Sequence, residues 1–113
     1  MAKQKKQKIL RFVHIPSGQV LAEGPLGWGI TPFEGNYYIR ERFVCSRRFR
    51  ATPAIGFCSY KFLYVWVNYV AENGIQSHHL GWVYIVPNPM LPFIAFRLAL
   101  PSVHPDLRIE QIA

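Results

Sequence analysis

A chain of 113 residues, half of them apolar and 15% aromatic, can bury one core and has no length for a second domain. Its formal net charge of +7 favours acidic partners, while two cysteines, Cys45 and Cys58, are too few for a disulfide framework, so a reducing, cytoplasmic setting is expected. The start, Met-Ala-Lys-Gln-Lys-Lys-Gln-Lys, reads as a basic tail over 1–8 ahead of one β domain over 9–113, and not as a secretory signal.

Along the chain the residues read as strands. Ile9 to Ile15 and Gln19 to Ala22 flank Pro16-Ser17-Gly18, a first hairpin. Glu23 to Gly35 is rich in glycine and proline and reads as loop with at most one short strand around Trp28 and Ile30. Asn36 to Val44 reads as a strand, and Ser46 to Pro53 as a polar, arginine-rich connection. A long hairpin follows between Phe57 and Pro89, then Phe93 to Leu100 and Leu107 to Ile112 as closing strands. No long stretch free of Gly and Pro shows a 3.6-residue apolar period. The expected fold is all-β: a small antiparallel folded sheet, tent-like or sandwich-like, built around the long hairpin. Leu80 to Pro101 carries one charge over 22 residues, long enough for a transmembrane helix, but its four prolines argue against a span.

Asn73-Gly74 is a strong signal for a two-residue loop. That loop places Trp66 opposite Gly81, Val65 opposite Trp82, Leu63 opposite Tyr84 and Tyr69 opposite His78. Phe62, Tyr64, Trp66, Val83 and Ile85 then share one face, and Leu63, Val65, Val67, Leu80, Trp82 and Tyr84 the other. Both faces are apolar, so both are expected to be covered, with the Trp66 ring lying over Gly81.

Cys58-Ser59-Tyr60-Lys61 and Trp82-Val83-Tyr84-Ile85-Val86-Pro87-Asn88-Pro89, with Val20-Leu21-Ala22-Glu23 and Tyr37-Tyr38-Ile39 upstream, resemble a small, mostly bacterial family known as domain of unknown function 427. Its pattern is Cys-x-x-Lys-Gly opening a strand and Trp-x-Tyr-Pro-x-Pro closing an aromatic one. The resemblance covers about residues 8 to 112 and implies a compact β structure without zinc. Three departures stand out: Phe62 replaces the glycine after the lysine, two extra residues precede Pro87, and Arg40 stands where proline is usual. The nucleotidyltransferase-like label used for the family finds no support in the residues, which include no paired acids and no phosphate-binding glycine loop.

Cys58 and Lys61 are the candidate catalytic pair, because a nearby ammonium lowers a thiol pKa. In a straight strand, however, residues three apart face opposite sides, about 10 Å apart, and contact needs a bend. A buried cysteine and a snorkelling lysine is the plainer reading. Lys61, Trp82 and Tyr84, sharing a face with Leu63, form a candidate ligand-binding end of the hairpin. His78 and His79 point to opposite faces, and with no Cys-x-x-Cys or His-x-His no metal site or cofactor is expected. The charge is concentrated: residues 1–8 hold four lysines and residues 40–50 hold Arg40, Arg42, Arg47, Arg48 and Arg50 against Glu41. These arginines are the candidate anion- or partner-binding set.

The chain therefore reads as a non-catalytic binding or scaffold module for an acidic protein or anionic ligand, more than as an enzyme. An enzyme using Cys58 and Lys61 is one alternative, and a non-specific nucleic-acid-binding protein is another. Free edge strands leave homo-oligomerisation open.

Overall fold

The computed structural model describes residues 7–113, so the basic tail read over 1–8 lies outside it as far as residue 6. Lys8 already belongs to the fold, its carbonyl accepting the Leu26 amide at 2.7 Å. Strand β1 (Ile9–His14) and strand β2 (Gln19–Pro25) form the expected first hairpin, closed by the Gly18 amide on the His14 carbonyl at 2.7 Å. The chain's last strand, Leu107–Gln111, returns to the other side of β1, completing a three-stranded antiparallel sheet.

The remaining strands are β3 (Ile30–Phe33), β4 (Asn36–Ile39), β5 (Phe49–Cys58), β6 (Phe62–Val70), β7 (Gln76–Pro87) and β8 (Leu98–Pro101), which makes Leu107–Gln111 strand β9. They form a six-stranded antiparallel sheet in the order β3-β4-β8-β7-β6-β5. Both sheets are antiparallel and the fold is all-β, as expected. The stretch Leu80 to Pro101 is strand and turn, and among the described residues no helix is long and apolar enough to cross a membrane.

Several local expectations are corrected. The strand read over Asn36 to Val44 stops at Ile39, because Arg40 turns the chain: its amide and its Nε bond the carbonyls of Gly29 and Trp28, and a 3₁₀ turn, Glu41–Phe43, follows. Val44 then bridges Ala22 and ties the two sheets together. The arginine-rich connection shortens, since β5 begins at Phe49; it is an edge strand, where outward charge is tolerated. The strand read over Phe93 to Leu100 is interrupted by a 3₁₀ turn at Pro92–Ile94 and by Phe96 in the left-handed region, which leaves only Leu98–Pro101 paired.

The long hairpin exists, but its register differs. Gly74 donates to Ala71 and takes φ of 87°, so the loop is a tight turn at Glu72-Asn73 followed by a left-handed glycine, one residue longer than expected. Tyr69 therefore pairs with Ser77 and not with His78. Extra residues bulge from β7 at His78–Leu80, where His79 takes φ of 52°, and again near Ile85. Between the bulges Trp66 faces Trp82, Val67 faces Gly81, Tyr64 faces Tyr84 and Val65 faces Val83. The aromatic residues thus gather on one face and the valines on the other, and Leu63 is separated from Trp82 and Tyr84. Gly81 lies against Ala99, Leu98 and Leu100 and not under the Trp66 ring; rings instead cover Gly56, where an added Cβ would collide with Tyr64, and Gly24 and Gly29, against Phe43.

Burial follows from this register. The valine-bearing face, at the end nearest the Gly74 turn, packs on the three-stranded sheet through Tyr69, Leu80 and Leu100 against Phe12, Leu21 and Leu107. On the aromatic face a second core gathers Tyr38, Tyr84, Leu91, Ile94 and Ala99. The expectation that both faces are covered fails beyond the three-stranded sheet, which is too short to reach. There Ile55, Phe57 and Val86 are 61%, 68% and 54% exposed.

Candidate functional site

The open end of the six-stranded sheet carries the sequence-predicted groups. β5 and β6 are joined by the short turn Ser59–Lys61, with Cys58 paired to Phe62. The segment read as the opening of one strand is therefore a hairpin bend, the departure from a straight strand that any contact between Cys58 and Lys61 requires. The amides of Lys61 and then Tyr60 turn toward the Cys58 sulfur and lower the thiol pKa, against an opposing effect of burial, with the Lys61 charge a lesser help. Cys45, by contrast, has its thiol pKa raised, mainly by burial.

The bend is held from outside and from within. Asn88, between Pro87 and Pro89, donates its side-chain amide to the Tyr60 carbonyl at 2.7 Å and its backbone amide to the Lys61 carbonyl at 3.2 Å. Phe62 takes φ of 78° at the position where the resembled pattern has glycine, a conformation costing a β-carbon-bearing residue about 1–2 kcal/mol. Its ring lies parallel to that of Phe57, with centroids 6.4 Å apart.

Lys61 is only 8% exposed. Its Nζ pairs with Glu34 Oε1 at 2.8 Å and lies 5.4 Å from the centre of the Phe33 ring. Behind it stand Tyr84, 4% exposed, and Tyr38, fully buried, with ring centroids 6.3 Å apart. Burial pushes the Tyr38 hydroxyl up to about 12, and Tyr84 rises as well, chiefly through burial and then through Tyr38, with Lys61 pulling it back. Both phenols stay protonated at neutral pH and can only help a charged partner by donating. Tyr38 Oη is buried without a hydrogen-bond partner, although the polar ends of Trp82 and Tyr84 are its neighbours. A thiol, an ammonium, a carboxylate and two phenols thus converge, as in sites that tune protonation. Lys61 is close enough to Tyr84 for its charge to act on the phenol. Trp82 faces Trp66 and the tyrosines from the next position along, and the new members are Glu34 and Tyr38.

The five arginines read as one patch divide into three roles. Arg48 is internal: its Nε donates to Val70 O at 2.7 Å and its Nη2 to Ala71 O, capping the start of the long hairpin's turn. Arg50 bonds the carbonyls of Arg47 and Phe49, while Arg47 itself borders a groove on the valine-bearing face. Arg40 and Arg42 both lie over the half-exposed Trp28 ring, at 4.7 and 5.4 Å from its centre. Arg97 joins them: it donates to Thr31 Oγ1, and burial together with the repelling Arg40 charge lowers its pKa. None of these three is ion-paired among the described residues.

A polar relay lies where the two sheets meet. His14 is fully buried, with Nδ1 2.7 Å from Ser17 Oγ and Nε2 2.7 Å from Ser77 Oγ. Ser77 donates onward to Asp106 Oδ2 at 2.6 Å, which leaves its oxygen to accept from His14 Nε2–H and makes Nδ1 the acceptor for Ser17. No local signal in the sequence announces it, since His14 and Ser77 stand 63 residues apart. His78 and His79 are exposed; the His79 ring stacks on Trp66 at 5.1 Å. Among the described residues no three His, Cys, Asp or Glu side chains gather to hold a metal. No protein-family model matches the chain, and none of the curated proteins matches it.

Proposed function

We infer that this protein is a binding module that recognises an anion at the corner formed by Trp28, Arg40, Arg42 and Arg97. The observation that carries this reading is two guanidiniums, Arg40 and Arg42, over one half-exposed tryptophan, with Arg97 close enough to feel the Arg40 charge and no carboxylate paired to any of the three among the described residues. Like charges held together cost free energy unless an anion arrives, and guanidinium groups match the oxygens of phosphate or carboxylate in pairs. The Arg97 side chain, partly desolvated and repelled by Arg40, gains most from such a partner. A cytoplasmic setting accords with two free thiols. The resemblance to the domain of unknown function 427 family is supported by the left-handed φ of Phe62, at the place of that pattern's glycine.

Titration with tripolyphosphate, followed through tryptophan fluorescence, tests the reading. Binding should weaken steeply between about 50 and 200 mM salt, as expected for several ionic contacts. Arg42→Gln combined with Arg97→Gln should lower affinity at least about tenfold, roughly the loss of two charge-assisted contacts. Equal affinity in the double variant would remove this corner as the site.

A second reading, an enzyme using Cys58 as nucleophile beside Lys61, is favoured by one observation: the Ser59–Lys61 bend turns the Lys61 and Tyr60 backbone amides toward the sulfur.

A further inference from the structure

The valine-bearing face of the six-stranded sheet carries a groove of about 500 Å³ where the three-stranded sheet stops short. That volume falls among those of small-molecule sites, roughly 300–1,000 Å³. Its floor takes one residue from each of four neighbouring strands: Ala51 of β5, Val67 of β6, Val83 of β7 and Leu98 of β8. Ala51 pairs with Val67 and Val83 with Leu98, while Val67 faces Gly81 and Val83 faces Val65, so the floor is a diagonal row of two pairs stepped by two residues across three inter-strand gaps. Val44 forms part of one wall. Phe96 stands at the mouth, 71% exposed and held with φ of 56° by its amide on the Tyr84 carbonyl.

The rim is polar on one side only, through Glu41, Ser46 and Arg47. Ser46 is already engaged with the Tyr69 hydroxyl at 2.9 Å. Arg47 is exposed and free of any ion pair among the described residues. The groove therefore has a diagonal apolar floor and a polar edge with one available cation, while the nearby Glu41 repels a head group of high negative charge. Shape and charge together select a linear apolar chain ending in a single anionic group. The same 3₁₀ turn presents Glu41 to this groove and its flanking Arg40 and Arg42 to Trp28, so the groove is separate from the phosphate-like site proposed above.

We propose that this groove binds a medium-length aliphatic carboxylate, with the chain along Ala51, Val67, Val83 and Leu98, the head on Arg47, and Phe96 over the chain. Burying the chain supplies the affinity, because most of the lining is already desolvated on one side, and the single charge sets the orientation.

The experiment is calorimetric titration of the full chain with decanoate and decanol below their aggregation limits, beside vesicles of phosphatidylglycerol as a separate arm. Saturable one-to-one decanoate binding is expected. Arg47→Glu should weaken decanoate about fivefold, the scale of one exposed ion pair, and leave decanol within twofold. Ala51→Trp fills the floor from an exposed edge position and should weaken both ligands more than tenfold, and an unchanged urea midpoint shows that it still folds. Arg42→Gln should leave decanoate binding unchanged, which distinguishes this groove from the Trp28 corner. No saturable decanoate binding, binding that survives Ala51→Trp, or association with vesicles alone would each overturn the proposal.

Discussion

The β6–β7 hairpin is one continuous element with two different ends. Near its Gly74 turn, Tyr69 and Leu80 are completely buried against the three-stranded sheet, and the polar groups there are satisfied in series from Ser17 through His14 and Ser77 to Asp106. At the other end Val86 of β7, with Ile55 and Phe57 of the adjoining β5, is exposed on one face. On the opposite face Lys61, Tyr84 and an unpartnered Tyr38 hydroxyl are pressed together. The first end is built as structure, because every buried polar atom of the relay has a partner. The second carries the unpaired or perturbed groups that a ligand or a reaction could use. One sheet can do both because the three-stranded sheet covers only part of it.

The largest predicted effect tests this contrast directly. Phe12→Ala, in the closed core, should cost about 3–5 kcal/mol, a large share of the roughly 5–15 kcal/mol typical of a domain. Phe57→Ser at the open end should cost less than about 0.5 kcal/mol. Urea denaturation of both variants provides the comparison. Similar losses would mean that the open face is covered in solution.

The relay comes next. Ser77→Ala deprives His14 Nε2–H and Asp106 of a shared partner inside the core and should cost about 1–3 kcal/mol. Burial lowers the His14 pKa below its usual value near 6.5, against a smaller upward pull from Asp106 and with His104 adding to the depression. The unfolded chain then binds this proton more readily than the folded one. The stabilisation tied to neutral His14 is therefore complete above about pH 6.5 and is lost as pH falls through the depressed folded value. Urea midpoints at pH 7.5 and at successively lower pH should show this decline, and His14→Gln should flatten it. An identical acid limb in that variant would assign the loss to other groups.

The smallest effect sharpens the chemistry of the open end. At pH 7.5 iodoacetamide should label Cys58 several-fold faster than Cys45, because one thiol pKa is lowered and the other raised. Lys61→Met should slow Cys58 about two- to fivefold, leaving the larger effect of the two amides in place. Labelling of Cys58 only after denaturation would end the nucleophile reading.

Much of the fold was legible because it rests on local patterns. Pro16-Ser17-Gly18 between apolar runs marks a hairpin whatever surrounds it, and the valines and aromatics of β6 and β7 mark strands. β5 was harder to see. Its first residues, as far as Pro53, read as part of a polar, arginine-rich connection, yet as an edge strand it can hold Arg50 outward while Phe49 packs on Tyr69 at 4.9 Å. The candidate site was half legible: Cys58, Lys61 and Tyr84 carry visible chemistry, whereas Glu34 and Tyr38 reach Lys61 and Tyr84, and Arg97 reaches Thr31 and Arg40, only through contacts between segments far apart in the chain.

Composition and short-range pattern alone determined an all-β chain with a long aromatic hairpin and a concentrated basic charge, since strand propensity, turn chemistry and charge are properties of neighbouring residues. Register, sidedness and partnership were decided by tertiary structure. The bulges at His78–Leu80 and near Ile85 set which rings face each other, and the Ser59–Lys61 bend turns two backbone amides toward the Cys58 thiol. The short three-stranded sheet leaves one face open. Each of these depends on packing between segments far apart in the chain, where a shift of one residue moves a side chain to the opposite face.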